Sequence, residues 1–205
     1  GSPLDSLIEI LDSKGHPVPR ALLRCELETS VTLNDPDSSR RGFRLLNWNG
    51  INVNDYLLVG NELLQLEVLP KSPDEDTFFK SFAGQRLGIE DTTPEAHSVN
   101  TPVYKVSIHP PGTTLPSNGL PVITLYYRND DGGPEYGKDS RLTFTAPADG
   151  DYLVRIRDVR GLGGDRFIYR LSIHEPQPDF VLSVDPENPN VPAGSSIPLT
   201  ITEIG

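Results

Sequence analysis

The chain has 205 residues, of which 36% are hydrophobic, with 20 Pro and 18 Gly and a net charge of −11. That length can bury a real core, and the charge repels nucleic-acid backbone and anionic membrane surfaces, leaving basic surfaces and divalent cations as partners. A single cysteine, Cys25, excludes a disulfide framework and a cysteine metal site; no apolar run is long enough to span a bilayer as a helix.

In chain order, Asp5–Asp12 alternates as a strand and Ser13–Pro17 turns it. Strand patterns recur in the apolar stretch around Cys25 (Leu22-Leu-Arg-Cys-Glu-Leu27), and at Phe43–Asn47, Asp55–Val59, Glu62–Leu69 and Val103–Ile108. Val59-Gly-Asn-Glu62 is a two-residue hairpin signal. Phe78–Phe82 fits a short helix or a strand equally well. Val122–Tyr127 then leads into the acidic loop Asn129–Asp139. Leu142 and Phe144 alternate with Arg141, Thr143 and Thr145, Pro147–Asp151 carries turn residues, and Tyr152, Val154 and Ile156 alternate again. This predicts a β-hairpin with those five apolar residues inward. Tyr169, Leu171 and Ile173 are expected to join them from a last strand, Phe167–Ile173. After Pro176-Gln-Pro178 the runs Asp179–Val184 and Ile197–Thr202 read as strands of a further module.

Asp5-Ser6, Asp12 with Gly15, Asn129-Asp130-Asp131, Asp139-Ser140, the Ala146–Gly150 turn and Tyr152 occur in an order that resembles the bacterial pre-peptidase C-terminal domain. The resemblance covers residues 3–20 and 121–176. It implies a secreted, non-catalytic β-sandwich that often accompanies peptidases. The expected organisation is a first sandwich part at 1–20, an inserted small β barrel or sandwich at 21–119, and the second sandwich part at 120–178. A linker with the first strands of an immunoglobulin-like module follows at 179–205. The family's opening strands have no counterpart before Asp5, so the chain is expected to be a piece of a longer protein. The fold class expected throughout is all-β.

The acidic loop is the leading site. Calcium takes several oxygen ligands, and Asp130, Asp131 and Asp139, with Asn129 and Glu135 as auxiliaries, could supply them within a glycine-rich turn. Ordinary turn chemistry, in which Asn and Asp bond their own backbone, is the alternative. Asn34–Ser38 is opposed as a cation site by Arg40 and Arg41, and Pro73–Asp76 reads as a solvated acidic loop. His16, His97, His109 and His174 form no zinc-binding spacing. His97 is the one with nearby carboxylates, Glu95 and Glu90. No nucleophile elbow is present, and Gly161–Gly164 is not followed by a phosphate-binding lysine. Trp48 could stack on a sugar, or pack into a core. The reading is a non-catalytic accessory or binding module of a secreted, periplasmic or cell-surface bacterial protein. Its partners would be neighbouring domains of the same polypeptide and an extracellular polymer or protein. The alternatives are part of an extracellular hydrolase and a calcium-stabilised spacer.

Overall fold

The computed structural model describes residues 2–33, 35, 37–133, 136–176, 181–186 and 189–204, and the fold is all-β. The strands among the described residues are β1 Ser6–Asp12, β2 Pro19–Ser30, β3 Gly42–Phe43, β4 Tyr56–Val59, β5 Glu62–Val68, β6 Thr77–Phe79, β7 Ser81–Phe82, β8 Gln85–Arg86, β9 Pro102–His109, β10 Val122–Tyr126, β11 Arg128–Asn129, β12 Tyr152–Asp158, β13 Val181–Asp185 and β14 Thr200–Ile204. Among the described residues the only helical turn is a single 3-10 turn at Ile89–Asp91, and no helix is long and apolar enough to cross a membrane.

A seven-stranded antiparallel sheet runs β10-β2-β9-β4-β5-β6-β3, and a three-stranded one runs β11-β1-β12. The chain changes sheet twice at one corner. Between β1 and β2, Val18 donates to the carbonyl of Ile10; between β10 and β11, Tyr127 donates to Val18 and accepts from Ile10. Two adjacent switches keep every backbone group bonded where the strands bend, as a β-sandwich corner requires. β13 pairs only with β14.

The seven-stranded sheet is covered on both faces because its central strands are apolar in both phases. Leu57, Val59, Leu64, Leu66 and Val103 look into one cluster, closed by Phe43, Leu45, Ile51 and Phe79. Leu58, Leu63, Leu23, Cys25 and Val106 form the other. A strand buried on both sides reads as a continuous apolar run, which is what Tyr56–Val59 and Leu63–Leu64 are. The hairpin between β4 and β5 forms at Gly60-Asn61, with Gly60 at φ +58° in the left-handed region that glycine enters without strain. Phe78–Phe82 resolves into strands β6 and β7.

Several expectations are corrected. The boundary at residues 20 and 21 falls inside β2, and β2 hydrogen-bonds β9 on one side and β10 on the other. Segment 21–119 therefore does not close on itself; its sheet continues into Val122–Tyr126. Val68 is 41% exposed, beyond a register shift against β6. The hairpin of Leu142–Thr145 with Tyr152–Ile156 does not form. β12 pairs instead with β1, from Ser6 opposite Asp158 to Asp12 opposite Tyr152.

Residues 141–145 make no ladder because side chains satisfy their backbone. Arg141 N–H donates to the Asn129 side chain, Thr143 N–H to Asp91, and the carbonyls of Thr143 and Thr145 accept from Arg20 and Tyr127. Phe144 still turns inward, half-buried, with its ring centroid 4.9 Å from both Tyr127 and Tyr152. Val154, Tyr169, Leu171 and Ile173 are exposed. The last three belong to a segment that leaves β12 by a turn, Phe167 N–H bonding Gly164 and Ile168 N–H bonding Ser2, so it lays no strand beside β12.

Candidate functional site

The acidic loop is organised by Asn129, 4% exposed. Its amide donates to the carbonyls of Asp91 and Asp131 at 2.9 and 2.8 Å, and its side-chain oxygen accepts from Arg141 N–H at 2.8 Å. Asn129 is thus committed to holding three backbone segments. Ser140, of the second Asp-Ser pair, meets Ser6, of the first, with their hydroxyls 2.6 Å apart, and also donates toward the Asp130 carbonyl. The two Asp-Ser pairs, 134 residues apart, therefore converge through their serines.

The aspartates do not converge likewise. Asp131 lines a cleft of about 100 Å³ with Asp91, Thr92, Gly132 and Arg141. Asp130 lines a second cleft, of about 140 Å³, on the other side of the segment 92–95. Asp139 lines neither and is exposed. Asp130 and Asp131 thus line different clefts, yet the Asp130 charge still acts on the Asp131 carboxyl. Among the described residues no group of three or more His, Cys, Asp or Glu is arranged to hold a metal; Glu135 lies outside the described residues. The expected metal ligands Asp130, Asp131 and Asp139 are thus distributed over two clefts and the exposed surface. Burial, then the charges of Asp130 and Asp5, push the Asp131 carboxyl above the ordinary aspartate range.

A cluster that the sequence did not announce lies beneath the first cleft. Arg86 is fully buried on the two-residue strand β8. Its guanidinium reaches Glu62 at 2.6 Å and Asp35 at 3.0 Å, and donates to the carbonyls of Arg40 and Glu95. Glu62, at 0% exposure, also receives His97 Nε2 at 2.8 Å and Glu95 N–H at 3.0 Å. His97 and Asp35 face each other across an antiparallel bridge whose two backbone bonds measure 2.7 and 2.8 Å. Phe43 covers the group, with the Arg86 guanidinium over its ring and the His97 ring edge-on to it. Both Asp35 oxygens lack a well-directed hydrogen bond, and desolvation, the largest influence, raises its carboxyl above the usual range despite Arg86.

His97 therefore pairs with Glu62 rather than with Glu95 or Glu90, and it is buried. Glu95 accepts from the Asn61 amide. Glu90 and Asp91 both adopt left-handed backbone, φ +57° and +54°, and both hold Arg20. That ion pair spans the short turn to β2 and holds two residues where L-side chains are strained. One signal for Glu62 was present: it sits in phase with Leu64 and Leu66, so a carboxylate in the inward register asked for a buried partner. Arg86 and Asp35, on short or isolated pairings, carried no such signal.

The remaining candidates have structural places. Cys25 is fully buried, its thiol pushed up by burial. Trp48 packs against the Phe43–Phe79 cluster. His16 caps the exposed first turn through Asp12 at 3.2 Å, His109 meets Ser107 at 3.0 Å, and His174 is exposed. Asp37 holds Ser39, and Asp74 and Asp76 face Arg44.

The second cleft is the larger of the two. Leu58, Ile123 and Leu125 give it apolar walls, and Glu95, Asp130 and Arg128 give it charged ones. Concave sites that combine an apolar floor with a few polar groups are the usual form of a binding pocket. Compared with known protein families, with characterised proteins and with solved structures, the chain finds no match in any of the three.

Proposed function

We infer that the chain is a non-catalytic accessory or binding module of a secreted or cell-surface bacterial multi-domain protein, one that orients neighbouring domains or holds an extracellular polymer or protein. The observation that carries this reading is the fate of His97. A general acid or base must reach a substrate proton, directly or through one water. The imidazole best placed by sequence for that work is instead buried at 3% exposure and hydrogen-bonded to Glu62. The open surface offers an apolar-floored cleft with a polar rim, which suits recognition more than bond breaking. The resemblance to the pre-peptidase C-terminal domain supports the same reading and the extracellular setting.

The test is co-sedimentation of the intact chain with insoluble cellulose, chitin, peptidoglycan and fibrous collagen, run beside assays on chromogenic peptides and glycosides. Retention on a polymer without turnover is expected. Turnover that co-purifies with the chain, and is lost in a folded His97→Gln variant, overturns the reading.

A further inference from the structure

We propose that β10 is a docking edge that takes an extended peptide carrying an apolar and a basic residue two positions apart, adding it as a further strand to the seven-stranded sheet. This rests on the binding-module reading and names the partner of its second cleft.

The two larger sheets end in the edge strands β10, β3, β11 and β12. Exposed edges invite pairing with other chains, and proteins blunt them by shortness, charge or proline. β3 and β11 are two residues each. β12 carries Arg155 and Arg157, both drawn to Glu9 across the ladder, and Asp158. β10 has none of these guards: it reads Val-Ile-Thr-Leu-Tyr, with Val122 47% and Tyr126 43% exposed.

Its ladder with β2 fixes which groups are free. Cys25 N–H bonds the Pro121 carbonyl, so the pair 121–25 is hydrogen-bonded, and with Ile123 opposite Leu23 and Leu125 opposite Ala21 the alternation continues. Val122, Thr124 and Tyr126 therefore turn their N–H and C=O groups away from β2. Those are the groups an incoming strand would pair.

The second cleft runs beside the same strand, lined by consecutive residues Ile123–Tyr126. Strand addition takes affinity from the main chain and specificity from pockets for alternate side chains. The apolar wall of Leu58, Ile123 and Leu125 fits one side chain of the guest. The carboxylates of Glu95 and Asp130 fit a basic one, and the chain's net charge of −11 favours a cationic guest at a distance. Arg128 at the cleft opposes a second basic group beside it.

The probe is a fluorescein-labelled octapeptide repeating Val-Thr-Lys-Thr, which puts valine and lysine on one face, capped at both ends, titrated into the intact chain and followed by anisotropy. Binding is expected, and the same peptide with glutamate for lysine should not bind. N-methylation of alternate peptide nitrogens should weaken binding by about tenfold or more, since each lost main-chain hydrogen bond is worth ~1 kcal/mol. Thr124→Pro should block binding while leaving the β2 ladder intact, because that N–H faces outward. Asp130→Asn should weaken binding by roughly threefold to fivefold, the value of a rim charge pair.

Equal binding of the N-methylated peptide would show electrostatic adhesion alone and overturn the proposal without any protein variant. Self-association in sedimentation velocity that Thr124→Pro abolishes would make a second copy the occupant, and overturns it also. Failure of the peptide arms with polymer retention intact sinks this inference alone; turnover lost with His97 sinks the functional reading instead.

Discussion

Arg86→Met should be among the costliest single substitutions in the chain. The guanidinium is fully buried and serves Glu62, Asp35 and the carbonyls of Arg40 and Glu95. Methionine keeps much of the stem's volume but leaves the Glu62 and Asp35 carboxylates in the interior without their guanidinium partner. Breaking one partner out of a buried ion pair costs about 3–5 kcal/mol, a large part of the ~5–15 kcal/mol that stabilises a typical domain. The assay is urea unfolding followed by Trp48 fluorescence, since Trp48 packs against the Phe43–Phe79 cluster beside the ion group. The midpoint should fall while the slope m is unchanged. Adding Glu62→Leu should recover part of the loss, with a coupling of at least ~1 kcal/mol between residues of one network. A single-variant cost under ~1 kcal/mol, with additive effects in the double, would show that the guanidinium is hydrated and the cluster is not as described.

Three further outcomes follow from named contacts. Phe79, fully buried, should cost about 3–5 kcal/mol as Phe79→Ala, whereas Phe144→Ala, at a half-buried ring, should cost well under that in the same urea experiment. Asp158 is held far below the ordinary aspartate range, chiefly by the Arg160 side chain and then by Asp5 N–H. A carboxyl depressed in the folded state stabilises above its unfolded value of about 3.9 and loses that contribution as pH falls toward the folded one. Asp158→Asn should therefore lower the melting temperature at neutral pH, with the gap to wild type closing below about pH 4. Calcium at millimolar concentration, added to metal-stripped chain, should leave the melting temperature where chelator leaves it, because Asp130 and Asp131 face different clefts.

What the sequence disclosed was phase, and what it withheld was partnership. The strand patterns at Asp55–Val59, Glu62–Leu69 and Val103–Ile108 are strands that bury Leu57, Val59, Leu64, Leu66 and Val103, and the Gly60-Asn61 turn sets the register of β4 on β5. The same alternation in Leu142–Thr145 was real, yet the ladder it suggested is replaced by bonds from Asn129, Asp91, Arg20 and Tyr127, none adjacent in sequence. Tyr152–Ile156 is a strand, but its partner is β1, some 140 residues upstream, a pairing that local turn chemistry cannot specify. In the site, the acidic loop was legible as a loop, but not the part Asn129 plays in organising its backbone. The Glu62–Arg86 pair escaped because only Glu62 stands out against its strand's pattern.

The sheet continuity decides whether residues 21–119 can be removed. A self-contained insert could be excised, leaving 1–20 joined to 120–178 with its own fold. Here β2 and β9 lie between β10 and the rest of the seven-stranded sheet, so excision takes both and strands β10. It also takes Glu90 and Asp91 from Arg20, and Asp91 and Thr93 from Asn129 and Asp131. What remains is β11-β1-β12, with Leu7, Ile10, Leu11 and Val18 as its buried apolar residues. Four such side chains make a small core, and the remaining large apolar residues described in 120–176 are half-buried or exposed. The joined chain should therefore give a collapsed amide region in its proton–nitrogen correlation spectrum and no cooperative melt. A dispersed spectrum with a sigmoidal transition would show that the three-stranded sheet stands alone, and that the shared strand β2 is an accessory to two folding units rather than the element that makes them one.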